Sequence, residues 1–192
     1  MRMETLGFLL CGQSPTSAEL NTSGKGWPYV TGPEQLHGGQ LEINKWTEKP
    51  RRLAPDNSIF ITVKGAGVGT IFYGCEAAIG RDIYAFHPSE QLSAKFVEHA
   101  LRCRIHEILR NARGDIPGLS KDHILNHRIA LPPLAEQHEI VNQIEAHNTT
   151  IDTTLNNLEY AMIRSKILRQ SILKRAFEGK LLNANTQTVA AS

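Results

Sequence analysis

The residues of this chain whose types could do chemistry fall into patterns that each stop short of a working site. Pro55-Asp56 with Lys64 outlines a magnesium-dependent nuclease strand, but the acidic position two residues before the lysine is Thr62. Glu178-Gly179-Lys180 has the acidic-x-lysine spacing, yet it lies at the end of a long helical stretch where no metal site can form. His138-Glu139 opens the zinc-protease pattern, which needs a second histidine one turn on so that two imidazoles share a helix face. That position is Asn142, and the similar His106-Glu107 pair meets Arg110 instead. Lys64-Gly65-Ala66-Gly67-Val68-Gly69 follows a strand-like run and invites a phosphate-loop reading. Its spacing is G-x-G-x-G, there is no Gly-Lys-Ser/Thr, and a strand rather than a helix comes next, so a tight hairpin or a close approach of backbone to phosphate fits better. The Asn/Asp-Pro-Pro-aromatic segment of amino-methyltransferases is missing, since Pro132-Pro133 is followed by Leu134. Cys11, Cys75 and Cys103 are odd in number and widely spaced, which suits reduced thiols of the cytosol. The expectation is a protein with no catalysis, metal or cofactor of its own.

Binding chemistry is better represented. Lys45 to Arg52 (KWTEKPRR) holds Lys45, Trp46, Lys49, Arg51 and Arg52, the densest basic cluster of the chain, with an aromatic inside it. Arginine forks read guanine edges and lysines hold phosphates, so the cluster suits a nucleic-acid surface. The competing reading is a charged sheet edge that discourages aggregation. In the glycine-rich loop NTSGKGWP, Lys25 and Trp27 pair a phosphate contact with a stacking surface; alternatively, Trp27 caps the core and Lys25 is solvated. Lys64, on the glycine loop, and Arg81, at the head of a strand, complete the candidate DNA-contacting set. A formal net charge of +2 over 192 residues excludes a strongly basic binder, so any footprint is local.

The elements that must carry these residues follow from periodicity. Ser58 to Val63 (SIFITV) reads as a buried strand, and Thr70 to Tyr73 as the strand returning from the glycine loop. Trp27 to Val30 and Leu41 to Ile43 read as short strands joined through Gly38 and Gly39, and Asp82 to Phe86 as another. The basic cluster is expected in a loop or at a strand edge. Leu92 to Leu109 has helical spacing and opens on Ser93 as a cap. Short strands with one helix predict an α+β recognition domain over residues 1–130. With 41% hydrophobic residues it can build a core, and no run is long enough for a membrane span.

Residues 131–182 read differently. Between Ala135 and Phe177 there is neither proline nor glycine. Pro132 and Pro133 bar an earlier start, and Gly179 is suited to a left-handed stop. A helix of roughly forty residues, about 60 Å, follows. Val141, Ile144, Asn148, Ile151, Leu155, Leu158 and Met162 recur at alternating steps of three and four, the seam of a coiled coil. Leu168 and Ile172 continue an apolar face after the register slips near Ser165. Asn148 in the seam either fixes register or is solvated. From Glu136 to Glu159 the helix has five acids and no Lys or Arg; from Arg164 to Lys180 it has six bases and the single acid Glu178. A helix dipole sorts charge only over its terminal turns, so the pattern favours antiparallel pairing. Residues 183–192 are small and polar and read as a flexible tail.

Leu131-Pro-Pro-Leu-Ala-Glu-Gln137, followed by the long amphipathic helix ending in Ala176-Phe-Glu-Gly-Lys-Leu181, resembles the specificity subunit of type I restriction-modification systems. Cys11-Gly-Gln-Ser-Pro15 and Gly114-Asp-Ile-Pro-Gly-Leu-Ser120 are similar to that family's recognition-domain pattern. The resemblance implies a target recognition domain that reads double-stranded DNA, followed by a spacer helix. It also implies recruitment of adenine methyltransferase (modification) subunits and ATP-dependent restriction subunits. Full-length members have two recognition domains and two antiparallel spacer helices. One copy of each stands here, so the expectation is a half subunit acting as a cytoplasmic homodimer. The alternative is an interaction or decoy fragment that binds modification subunits through the long helix without reading DNA.

Overall fold

The computed structural model describes residues 1–37, 40–65, 67–112 and 118–181. The chain divides into two compact units, the first spanning Met1–Val141 and the second starting at Asn142.

The first unit is built around β8 (Ile59–Thr62), every residue of which is buried. Successive side chains of a strand point to opposite faces, so a strand covered on both sides reads as a continuous apolar run. Ile59 and Ile61 face one core, with Phe86, Leu9 and the helical residues Phe96, Val97, Leu101 and Ile108. Phe60 faces the other, edge-on to Phe72 with ring centroids 5.6 Å apart, beside Val30, Ile79 and Ala85. β1 (Gly7–Cys11), β11 (Ile83–Pro88), β8 and β9 (Ile71–Tyr73) form an antiparallel sheet in that order. β8 and β9 are the expected hairpin: Thr62 N–H donates to the Thr70 carbonyl at 2.9 Å, and Gly65 and Gly69 turn with φ of 82° and 88°.

A second sheet runs β2 (Leu20–Asn21), β6 (Trp46–Thr47), β3 (Trp27–Val30), β10 (Ala77–Ile79) and β7 (Leu53–Ala54). β3 and β10 are parallel and the other pairings antiparallel. Two expectations are corrected here. The strand expected over Leu41 to Ile43 is shorter and earlier, β5 (Gln40–Leu41), and it pairs with β4 (Leu36–His37). Both sides of β3 are already taken by β6 and β10. Pro33 starts a 3₁₀ turn whose Gln35 is buried, donating to the Tyr29 carbonyl at 3.1 Å and accepting from Thr31 N–H at 2.7 Å. Trp46 and Thr47, expected in a loop or at an edge, lie between β2 and β3, and only residues 48–52 form a loop. The expected connection through Gly38 and Gly39 lies outside the described residues, as do Ala66, the first four residues of Gly114–Ser120 and the tail 183–192.

α1 (Ala94–Asn111) begins as expected, with Ser93 Oγ accepting from Phe96 N–H. A short helix, α2 (Lys121–Leu125), follows with Ser120 at its cap. α3 (Leu134–Phe177) is 44 residues long, about 66 Å at the standard rise. It ends where glycine was expected to end it, at Gly179 with φ 67°.

The opening turns of α3 belong to the first unit. Gln137, 1% exposed, accepts from Ser93 N–H at 3.1 Å and donates to the Pro132 carbonyl at 2.9 Å. One amide thereby supplies partners to the backbone donor that precedes α1 and the acceptor that precedes α3. Replacing it with Ala takes the side-chain partner from two part-buried backbone groups. We expect Gln137→Ala to lower the free energy of unfolding by about 1–3 kcal/mol, read from urea denaturation; an unchanged midpoint contradicts this role.

Candidate nucleic-acid interface

Seven of the nine expected DNA-contacting residues fall on the second sheet and its loops. Trp27 begins β3 and Trp46 begins β6, and these two strands are paired with Pro28 opposite Trp46. Trp27 is 37% exposed, so it does not close the core. Lys25 lies in the loop ahead of β3, where Asn21 holds the turn: its Oδ1 accepts from the N–H groups of Ser23 and Lys25, and its Nδ2 donates to the Lys25 carbonyl at 2.9 Å. Lys45 precedes β6 and its carbonyl accepts from Tyr29 N–H. Lys49, Arg51 and Arg52 occupy the loop leading to β7, and the Arg52 carbonyl accepts from Ile79 N–H at 3.1 Å. Backbone bonds thus anchor the segment on both sides of the loop, while Lys45 and Lys49 are exposed.

Arg51 is not free. Its guanidinium lies 2.9 and 3.0 Å from the two carboxylate oxygens of Glu19. Glu19 also accepts from Thr16 N–H at 2.9 Å, closing the 3₁₀ turn before β2. The Thr16 bonds, and secondarily Arg51, hold the Glu19 carboxyl below the usual carboxylate range. Glu19 was missed as a functional neighbour, although Thr16-Ser-Ala-Glu19 is a legible capping signature.

Lys64 and Arg81 stand apart from this set, at the shared end of β8 and β11, where Val63 N–H donates to the Asp82 carbonyl at 2.8 Å. Arg81 is at the turn that Cys11-Gly-Gln-Ser-Pro15 packs against. Ser14 Oγ accepts from Arg81 N–H, and a Cβ at Gly12 would sit 2.0 Å from the Gly80 carbonyl oxygen. That motif is therefore a close-packing device between two turns. Gly118-Leu119-Ser120 does similar work, with Leu119 N–H donating to the Val63 carbonyl and Ser120 capping α2.

The residues that outlined catalytic patterns are not assembled. Thr62, at the missing acidic position, is buried in β8, and its hydroxyl has no hydrogen-bond partner among the described residues. Among those residues no three His, Cys, Asp or Glu side chains are placed to hold a metal ion, and no helix is long and apolar enough to cross a membrane.

The second unit is the remainder of α3. Ile151, Leu155, Leu158, Met162, Leu168 and Ile172 are all exposed, Met162 by 75%. Asn148 is exposed among them and Ile144 half-buried. Val141, expected in the same seam, is instead 5% exposed and packed into the core of the first unit. The stripe open to another helix therefore starts at Ile144. Thr149, Thr150, Thr153 and Thr154 each donate to a carbonyl four residues back. Such bonding is common for threonines within helices, where their intrinsic preference is low.

A model of the type I restriction modification DNA specificity domain matches residues 5–161. The chain belongs to that family. A putative type I restriction enzyme MjaX specificity subunit from Methanocaldococcus jannaschii is 28% identical over 149 residues, which cover 75% of this chain and 34% of that protein. The HsdS subunit from Thermoanaerobacter tengcongensis aligns with 94% of this chain and 45% of its own, at a TM-score of 0.69 and 27% identity. A chain from a type I R-M system, solved to explain complex assembly and conformational transition, aligns with 94% of this one and 46% of its own, at a TM-score of 0.84 and 26% identity. The specificity domain with its helix thus spans about a third of that curated relative and just under half of each solved chain. The α+β fold followed by one long helix, expected from sequence, agrees with these structures.

For the Arg51–Glu19 pair within this specificity domain, Glu19 should titrate below the ordinary carboxylate range. Its folded value is depressed, so its contribution to stability is present at neutral pH and is lost as pH falls through that value. Because the Thr16 bonds are the larger cause, Arg51→Ala should leave most of the depression in place. An NMR titration of the Glu19 carboxyl carbon measures both: an ordinary value in the unmodified protein contradicts the depression, and an ordinary value in Arg51→Ala contradicts the larger share of the Thr16 bonds.

Proposed function

We propose that this chain is a DNA sequence-specificity module of a type I restriction-modification complex. Its first unit reads one half-site of double-stranded DNA, and its long helix pairs antiparallel with the same helix of a second copy. The chain contributes no catalysis. Methyl transfer to adenine and ATP-dependent cleavage belong to the modification and restriction subunits that it recruits in the cytoplasm. The observation that carries this reading is the alignment of one recognition domain and one spacer helix with just under half of an HsdS chain. Two such halves make up the bipartite reader. The sorted charges of α3 and its exposed apolar stripe support antiparallel association, because each acidic half then lies along a basic half.

On the recognition domain the phosphate-contacting element is β6 with its flanking loops. Lys45 just before β6 and Lys49 in the loop after it supply cations, while Trp27 and Trp46 on adjacent strands supply flat apolar surface. Glu19 keeps Arg51 oriented and partly neutralised, which makes Arg51 a weaker phosphate ligand than its neighbours. We expect Lys45→Glu/Lys49→Glu to weaken binding to all duplexes alike and to reduce the dependence of log K on log salt by about one for each phosphate no longer neutralised. Fluorescence anisotropy across a salt series, with the chain assembled with its modification subunit, measures this. An unchanged slope places the DNA on another surface.

A further inference from the structure

Arg51 and Glu19 form an ion pair in which one partner is held in place independently of the other. Two long side chains that meet in solvent gain little from pairing, because each gives up rotamer freedom to do so. Glu19 has given up most of its freedom already. Its carboxylate accepts from Thr16 N–H at 2.9 Å, and its own N–H donates to the Thr16 carbonyl. Its carbonyl accepts from Thr47 Oγ1 at 2.9 Å, and the same hydroxyl accepts from Lys49 N–H at 3.2 Å. Thr47 is fully buried. One hydroxyl therefore ties the turn that carries Glu19 to the loop that carries Arg51. The Glu19 side chain is 18% exposed and that of Arg51 45%, so the acid is the inner member of the pair and the arginine the outer.

We propose that Arg51 reads a guanine of the half-site from the major groove, and that Glu19 is its positioning residue. This rests on the DNA-reading role proposed above and adds to it one base and the residue that reads it.

Both contacts with Glu19 are made from Nη2, which leaves the hydrogens of Nη1 and Nε to other acceptors. A phosphate is a poor choice of acceptor. Its anionic oxygens would approach a carboxylate that lies 2.9 Å from the guanidinium. A base edge has no net charge and meets no such repulsion. In the major groove guanine presents two acceptors, N7 and O6, and no donor, which matches a group made only of donors. Adenine and cytosine each present an amino group there, and thymine a single acceptor beside a methyl. A guanidinium oriented in advance also has less freedom to lose when the base arrives. Lys45 and Lys49 are exposed and suit phosphates, as point charges on flexible stems.

The test uses the chain assembled with its modification subunit and a map of methylated adenines, first for the native chain and then for variants. Arg51→Lys keeps the charge and removes the fork. The expected result is a native half-site containing a G·C pair at which the Arg51→Lys motif has become degenerate, with the other positions retained. On duplexes built from the native motif, replacing that G·C pair by A·T should weaken the native complex about ten- to a hundredfold by fluorescence anisotropy, and the Arg51→Lys complex hardly at all. Glu19→Gln keeps an acceptor for Thr16 N–H and loses the charge. It should reduce the same ratio at the same base pair, whereas a role confined to stabilising the turn leaves that ratio unchanged. An Arg51→Lys motif identical to the native one, a native half-site without a G·C pair, or equal weakening on every duplex overturns the proposal and leaves the DNA-reading role standing. A native complex that methylates no specific sequence overturns both.

Discussion

Gln137 is the joint on which the first unit depends. A helix start leaves backbone donors without partners, and a proline pair interrupts regular backbone bonding. Both problems arise at one place here, where the chain leaves the sheet for α1 and again where it leaves the domain for α3. The buried Gln137 amide answers both, as acceptor for Ser93 N–H and donor to the Pro132 carbonyl. With those bonds made, Val141 one turn later reaches the core shared by Leu101, Ile108 and Ile124. The Leu-Pro-Pro-Leu-Ala-Glu-Gln segment is thus a structural clasp between a recognition domain and the helix that carries it.

Beyond that clasp α3 has a different physical character. A helix gains most of its stability from packing an apolar face, and from Ile151 onward this one exposes its apolar residues. Its central turns are rich in threonine, which adds little intrinsic helicity. An exposed stripe of this length is the mark of an association surface. In the antiparallel pairing proposed for it, segregated charge selects the orientation. The proposed recognition surface makes the complementary choice. Its cations sit on short strands and a loop fixed by backbone bonds, so their positions are set without drawing their side chains into the core.

Much of the fold was legible because its signals are local. Six consecutive residues, Ser58 to Val63, suffice to announce a doubly buried strand. Ser93 and Gly179 mark helix ends by their own backbone preferences, and the absence of proline and glycine between the clasp and Phe177 sets the length of α3. What was not legible depends on partners distant in the chain. The parallel pairing of β3 with β10 joins segments about fifty residues apart through strands of three and four residues, too short to carry a pattern. The basic cluster was recognisable from composition. That Trp46 lies inside a sheet and that Arg51 is held by Glu19, 32 residues away, follows only from the folded chain. Val141 fits the heptad as well as its neighbours do, and only the domain packed against it decides that it turns inward.

The central claim is that this chain supplies half of a bipartite DNA specificity, completed by a second copy. The most direct measurement is to express it with a type I modification subunit, in a host lacking other adenine methylation, and to map methylated adenines genome-wide. The account predicts a bipartite motif with inverted-repeat halves, the signature of two identical recognition domains related by the antiparallel helix pair. Absence of sequence-specific methylation from an intact complex would contradict the specificity role, and a motif with unlike halves would contradict pairing with a second copy.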